Sequence, residues 1–353
     1  MASHSVRVIS RAQVKRCLSM KDAIALQRHA FLSLDSTTTV IPTRLLLSTP
    51  EGITLFKPAF VNEDSLPPVL GCKIVSVRPQ NAVAGLPTVP GNLVLLDAET
   101  GLTKCLMDAE YLTGVRTAAG SGLFTDILSS PDAEYLLIFG AGLQGAEHFK
   151  AMLCVRPKLK TVSFVNRTLK RAEDLVARFR GMQEYSHLHY NVLALDDNAN
   201  VRTALAAADI ICTTTNASTA LFNDDDHKLK PGCHINAIGS FTTDMVELGN
   251  SVIDRAMGKD ASKPGDSLAV IDCSEARAVG EFTHLSTQEK ETHLLVASDA
   301  LQEDAKVMRE KRRRNPGGVS LFKSVGVATQ DMVTAGEVLR AAEEQNIGTV
   351  CEL

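Results

Sequence analysis

No stretch of this 353-residue chain approaches the roughly 18 consecutive apolar residues of a membrane-spanning helix. The first twenty residues lack the apolar core of a secretory signal. Neither sign of charge dominates: 37 Lys and Arg stand against 41 Asp and Glu, a formal net charge of −4. That balance offers no overall attraction to nucleic acid or to an anionic membrane. There is no internal repeat and no low-complexity tract. The eight cysteines (Cys17, Cys72, Cys105, Cys154, Cys212, Cys233, Cys273 and Cys351) include no C-x-x-C pair. Their scatter argues against a zinc site and fits reduced thiols, most of them small core residues. We therefore expect a cytoplasmic protein with no metal, no nucleic-acid partner and no membrane partner.

What is present is ordinary in bulk and specific in detail. At 44% apolar and 22% charged, the chain can bury a sizeable core, and its length suits two domains. The strongest local signal is Leu136-Leu137-Ile138-Phe139 running into Gly140-Ala141-Gly142-Leu143-Gln144-Gly145, followed by a helical pattern. In such a GxGxxG, the first glycine permits a tight turn and the second lets backbone approach a pyrophosphate. The third lets helix and strand pack closely. The helix N-terminus, from Leu143 and Gln144, favours negative charge. A second apolar strand, Thr161 to Val165, follows at βαβ distance.

The end of that second strand bears on the cofactor. NAD sites usually place Asp or Glu there to accept from the ribose 2′-OH. Here it reads Asn166-Arg167-Thr168, with Arg171 on the next helix. No acid repels a 2′-phosphate, and a guanidinium can pair with one. NADP(H) is expected in preference to NAD(H). Further strands end in Thr213-Thr214-Thr215 and in Ala237-Ile238-Gly239, with Ser240 next. In open α/β sheets, ligands bind beyond such carboxyl ends. The basic run Lys306 to Arg314, closed by Asn315-Pro316-Gly317-Gly318, reads as a solvated helix end. Residues 1–35 read as helical in part. Residues 40–110 read as strands and turns, with a hairpin turn at Asp97–Gly101 and a helix from about Asp108 to Leu128.

Several motifs in order resemble the ornithine cyclodeaminase/mu-crystallin family: Pro42-Thr43-Arg44, Gly71 to Ser76, Thr113 to Ala119, Gly140 to Gly145, His234 to Gly239, and Leu321 to Gly326. The resemblance implies an α/β fold in two parts. One is a Rossmann dinucleotide-binding domain, placed at 121–319. The other is an α/β substrate-binding and dimerisation domain built from the N-terminal segment and the chain's end, placed at 1–120 and 320–353. It also implies a homodimer acting on a small imino or amino acid, with Arg44, Lys73 and Arg116 holding the substrate carboxylate. Lys73 could pass a proton, and Ser240, Asp244 and Lys323 complete the expected substrate contacts. Gly140, Gly142, Leu143, Gln144, Gly145, Asn166, Arg167, Thr168, Arg171, Thr213, Thr214, Thr215, Ile238 and Gly239 are the expected cofactor contacts.

Two departures narrow the reading. Cyclodeaminases carry an Asp where Phe241 aligns, and a Glu in the strand that here reads Ile53-Thr54-Leu55-Phe56. Without them, ornithine's side-chain ammonium lacks its natural partners. The sequence thus points to an NADPH-dependent reductase of a C=N bond beside a carboxylate. The alternatives are an ornithine cyclodeaminase, an alanine-dehydrogenase-like enzyme, and a non-enzymatic NADPH-dependent ligand holder.

Overall fold

A computed structural model describes residues 4–259 and 267–352. The chain divides into two compact units. Unit 1 comprises the residues up to Arg116 and those from Val327 onward; unit 2 is Thr117–Gly326. In chain order, the first stretch holds β1 (Ser5–Ile9), α1 (Arg11–Cys17), α2 (Met20–Leu32), β2 (Leu45–Thr49), β3 (Gly52–Glu63), β4 (Leu66–Val77), β5 (Gly91–Leu96), β6 (Thr103–Asp108) and α3 (Glu110–Leu128). Then come β7 (Tyr135–Phe139), α4 (Leu143–Val155), β8 (Thr161–Asn166), α5 (Leu169–Arg180), β9 (His189–Ala194), α6 (Asn198–Ala207), β10 (Ile210–Thr213), α7 (Asp224–His227), β11 (His234–Ala237) and α8 (Asn250–Ala256). The last are β12 (Ala269–Ile271), α9 (Thr287–His293), β13 (Leu295–Val296), α10 (Ala297–Leu301), α11 (Lys306–Arg314), β14 (Ser320–Lys323), α12 (Ala328–Glu344) and β15 (Thr349–Glu352).

Unit 1 is a seven-stranded sheet in the order β15-β1-β6-β5-β4-β3-β2, antiparallel except where β1 meets β6. Period-2 alternation along β3 and β4 buries Lys57, Ala59 and Val61 with Gly71, Lys73 and Val75 on one face. Helix α12 packs on β3 and β4, with α2 against it. The contact is close at Gly71, where a Cβ would lie 2.4 Å from the Val94 carbonyl oxygen and 3.0 Å from the Met332 sulfur. On the other face, Pro58, Cys72, Val94, Leu106 and Val8 form one cross-strand row. Val8, Leu106, Leu45 and Leu47 there are all more than a third exposed. Strand β1 lies in the stretch read as partly helical, because the local Ser5–Ile9 alternation is too short to stand out.

Unit 2 is an eight-stranded parallel sheet in the order β13-β12-β14-β11-β10-β7-β8-β9. Its central strands are buried on both faces, which is why they read as unbroken apolar runs. Residues 320–326 were expected with the substrate domain. Instead, Ser320–Lys323 pairs with β11 on one side and β12 on the other, and the whole stretch to Gly326 belongs to unit 2. Residues 117–120 also belong to this unit, because the division falls inside α3.

The β7–α4 turn shows why its glycines are glycines. Gly140 has φ +106°, and a Cβ on it would meet the Thr214 hydroxyl at 2.6 Å. A Cβ on Gly145 would lie 2.2 Å from the Gly140 carbonyl oxygen. That neighbour is backbone and cannot swing away. Overpacking of this kind costs about 1–3 kcal/mol, against roughly 1 kcal/mol gained in helix propensity. Gly145→Ala should therefore lower the melting temperature by roughly 2–6 °C. An unchanged melting curve would mean that the turn relaxes around a methyl group.

Candidate active site

In unit 1, two lysines stand on the core face of the sheet where apolar residues are the rule. Lys57 of β3 and Lys73 of β4 are directly paired in register, in a row that continues through Leu93, Met107 and Ile9. Like charges facing each other across a strand pair repel. What holds them is Asp331, in the first turn of α12, where the helix N-terminus also favours a carboxylate. Lys73 Nζ lies 2.7 Å from Asp331 Oδ1, Arg116 Nε of α3 lies 2.9 Å from the same oxygen, and Lys57 Nζ lies 3.8 Å from Oδ2. All four side chains are buried. Lys73 also donates to Thr113 Oγ1 at 3.3 Å. Arg116 donates to Gln330 Oε1 at 3.0 Å, and Gln330 Nε2 donates to Gln27 Oε1 at 2.9 Å.

Electrostatics follow from this crowding. Burial pulls the Lys73 ammonium well below an ordinary lysine's pKa; Asp331 opposes that shift, while Arg116 and Lys57 add to it. Burial alone would raise Asp331. Arg116, Lys73 and Lys57 together outweigh it and hold the carboxyl below its ordinary range. Lys73 and Arg116, chosen from the sequence, are thus brought together. Arg44 immediately precedes β2 and is half-exposed. Its neighbour Leu45 pairs with Phe56, so the register carries Arg44 towards Lys57. Lys57 and Asp331 were missed. Their only sequence signal was a charge inside an apolar strand or helix face, which is silent about what it meets.

In unit 2, the β7–α4 turn fits a dinucleotide pyrophosphate. Around the Cβ position of Gly142, at the N-cap of α4, there is open space. Asn166 Oδ1 accepts from the Ala141 N–H at 3.2 Å, which ties the glycine turn to the end of β8. Arg167, Thr168 and Arg171 are exposed. Leu143 and Gln144 open α4; the Gln144 carbonyl accepts from or faces His148 Nδ1 at 2.8 Å. Burial depresses His148 to about 4, so this imidazole is neutral.

The loops after β10 and β11 hold a carboxylate that the sequence reading overlooked. Glu247 Oε2 accepts from Thr213 Oγ1 at 2.8 Å and from the Gly239 N–H at 2.7 Å. Its Oε1 accepts from the Thr215 N–H at 2.6 Å and the Thr215 hydroxyl at 2.8 Å. Thr214 Oγ1 donates to the Phe139 carbonyl at 2.8 Å. The hydroxyls expected at the cofactor are therefore committed to bracing these loops, and Ile238 is buried beside them. Lys323 Nζ donates to the Ser240 carbonyl at 2.6 Å and to the Ser240 hydroxyl, with Glu281 3.6 Å away. Ser240 in turn donates to Glu281. These substrate candidates close a buried network inside unit 2. Asp244 is exposed and accepts from Thr242 Oγ1 at 2.6 Å. In the basic run, Arg312 donates to the Gly318 and Gly232 carbonyls, so it braces a loop while Arg313 pairs with Glu310 at the surface.

A parallel sheet entered by a glycine turn, with a separate unit carrying a buried cation cluster, defines the two-domain Rossmann-type dehydrogenase fold. More narrowly, the chain belongs to the ornithine cyclodeaminase/mu-crystallin family, whose sequence model matches residues 5–346. It is 32% identical over 348 residues to a Delta(1)-pyrroline-2-carboxylate reductase of Bacillus cereus, covering 97% of this chain and 98% of that protein. It is 28% identical over 376 residues to an uncharacterized cyclodeaminase of Dictyostelium discoideum, covering 97% and 98%. Among solved structures it resembles the Thermococcus litoralis Delta(1)-pyrroline-2-carboxylate reductase in complex with NADH and L-proline. That match has a TM-score of 0.82 and 26% identity, covering 98% of this chain and 99% of that one.

The cluster makes a stability prediction. Asp331→Asn leaves three buried cations without their carboxylate and should cost about 3–5 kcal/mol at pH 7. Because the folded pKa of Asp331 is depressed, its contribution is complete above the unfolded value near 4 and is lost as pH falls. Urea unfolding at pH 7 and pH 3 should show the gap between wild type and variant narrowing in acid. A gap independent of pH would contradict an ionised Asp331.

Proposed function

We propose that the protein reduces a C=N bond beside a carboxylate, converting a cyclic ketimine or similar imino acid to the amino acid with NADPH. The observation that carries this reading is the buried pair Lys73 and Arg116, which share a single oxygen of Asp331. A substrate carboxylate would be the second anion for these two cations, and Arg116 offers it a planar fork of donors. The naming of similar proteins for reduction of pyrroline-2-carboxylate supports the same chemistry. The bound nicotinamide supplies the hydride. Lys73 supplies the proton to the imine nitrogen; its burial makes the ammonium readier to release it. The absence of an acid within Ile53-Thr54-Leu55-Phe56 and at Phe241 weighs against loss of an amine from ornithine.

The preference for NADP(H) rests on the end of β8. Asn166, Arg167 and Thr168 place no acid there, and neither Arg167 nor Arg171 spends its exposed guanidinium on a partner among the described residues. The homodimer rests on the uncovered apolar face of the unit 1 sheet, which a second copy would bury. Sedimentation should show a dimer at micromolar concentration, and a monomer there would leave that face unexplained. We place the protein in the cytoplasm, in keeping with eight unbridged thiols. No helix among the described residues is long and apolar enough to cross a membrane.

The test is loss of NADPH absorbance with 1-pyrroline-2-carboxylate and 1-piperideine-2-carboxylate, with NADH in parallel. Turnover is expected, faster with NADPH. Lys73→Ala should lower kcat by about 100-fold or more while NADPH binding, followed by fluorescence, stays intact. Arg167→Asp should move preference towards NADH. Equal use of the two cofactors by the wild type would remove the 2′-phosphate assignment. Cofactor binding without turnover of any imine would make the protein a ligand holder.

A further inference from the structure

We infer that Gln330 is a positioning residue for Arg116: its side-chain amide, backed by Gln27, fixes the guanidinium in the attitude that receives the substrate carboxylate. This rests on the reading above in which Arg116 holds that carboxylate. Gln330 touches Arg116 at both ends. Its Oε1 accepts from Arg116 Nη1 at 3.0 Å, and its Nε2 donates to the Arg116 main-chain carbonyl at 3.4 Å. One planar amide thus spans the arginine from backbone to guanidinium and restricts the torsions between them. The amide cannot turn over. Its Oε1 also accepts from the Val327 N–H at 3.2 Å, so a flipped Gln330 would set its own N–H groups against two donors.

The contacts continue in one direction. Gln330 Nε2 donates to Gln27 Oε1 at 2.9 Å. Gln27 Nε2 donates to the Ala23 carbonyl at 3.2 Å and to Thr334 Oγ1 at 3.4 Å. Each amide accepts at one end and donates at the other, and hydrogen bonds in such a chain strengthen one another. The chain joins α3, α12 and α2, and both glutamines are fully buried. Capping of α12 accounts for the bond to Val327 alone and leaves the contacts with Arg116 and Gln27 unexplained. The arginine's remaining contacts show what the anchoring is for. Arg116 Nε lies 2.9 Å from Asp331 Oδ1, and Nη1 meets Gln330. Nη2 makes no hydrogen bond among the described residues and is not sealed from solvent. It is the donor held out for a ligand. A guanidinium fixed beforehand spares binding the rotamer entropy of ordering it.

The experiment measures kcat and KM for 1-piperideine-2-carboxylate at saturating NADPH in the wild type, Gln330→Met, Gln27→Met, Arg116→Lys, and Gln330→Met combined with Arg116→Lys. Gln330→Met should raise the KM of the imine about tenfold and leave kcat and the KM of NADPH little changed, because it weakens a contact made equally in ground and transition states. Gln27→Met keeps the Gln330–Arg116 bonds and the α12 cap, and should raise KM by about threefold. It decides the matter if Gln330→Met does not fold. Arg116→Lys keeps a charge beside Asp331 but has no guanidinium to orient, so adding Gln330→Met to it should raise KM no further. A role in packing alone would lower the melting temperature and leave KM where it was. Binding gives a readout without turnover. Pyridine-2-carboxylate should raise the melting temperature of the wild type more than pyridine-2-carboxamide does, and Gln330→Met should shrink that difference. If Arg116→Lys raises KM while both glutamine variants leave it unmoved, the proposal is overturned and the role of Arg116 stands. The same holds if Gln330→Met acts equally with and without Arg116. A KM unmoved by Arg116→Lys removes Arg116 from the carboxylate, and the proposal with it. If the imine is not reduced, the pyridine pair decides: a difference unmoved by Gln330→Met overturns the proposal, and no difference in the wild type removes the carboxylate reading as well.

Discussion

Asp331 gathers Lys73, Arg116 and Lys57 in the buried interior of unit 1, and the packing of that unit is arranged around it. The first turn of α12 presents the carboxylate to β3 and β4. Gly71 lets helix and sheet approach at Met332, and Gln330 carries the polar contacts on to Arg116 and Gln27. Each device allows charges to be buried that would otherwise force the sheet open. An ion cluster of this kind contributes little net stability, because desolvation offsets attraction. It stands on a face otherwise filled by Leu93, Met107 and Ile9.

Unit 2 follows a different constraint, close approach of backbone to backbone. A Cβ on Gly145 would run into the Gly140 carbonyl, and Gly140 adopts a left-handed φ against Thr214. Glu247 gathers donors from the loops after β10 and β11, so the carboxyl edge of the parallel sheet is fixed before any ligand arrives. Preorganisation there means that binding need not spend free energy ordering these loops. Lys323, Ser240 and Glu281 extend the same bracing.

Legibility differed between the two units for a physical reason. The parallel sheet announced itself because strands buried on both faces are continuous apolar runs, and the glycine turn has a fixed spacing. The hairpin at Asp97 was equally plain, since its carboxylate binds the N–H groups of Glu99 and Thr100 locally. Strands β1, β6 and β9 were not evident. Each is short and takes its pairing from neighbours distant in sequence, as β1 does from β6 and β15. Arg116 and Lys73 were visible through motif resemblance. Lys57 looked like one charge in an apolar strand until the register set it opposite Lys73.

By itself the sequence determined the dinucleotide turn, the acid-free end of β8 and the family to which the chain belongs. All are encoded by residues adjacent along the chain, where spacing alone constrains geometry. Tertiary structure decided the rest. It moved residues 320–326 into unit 2, with Ser320–Lys323 in its parallel sheet, assigned the Thr213 and Thr215 hydroxyls to Glu247, and set Lys57, Lys73 and Arg116 around Asp331. Asp331 lies 258 positions from Lys73 along the chain. Only the packing of α12 on the sheet brings such residues within reach. Coulomb interactions depend on distance in space and on exclusion of water, and neither is written in sequence order.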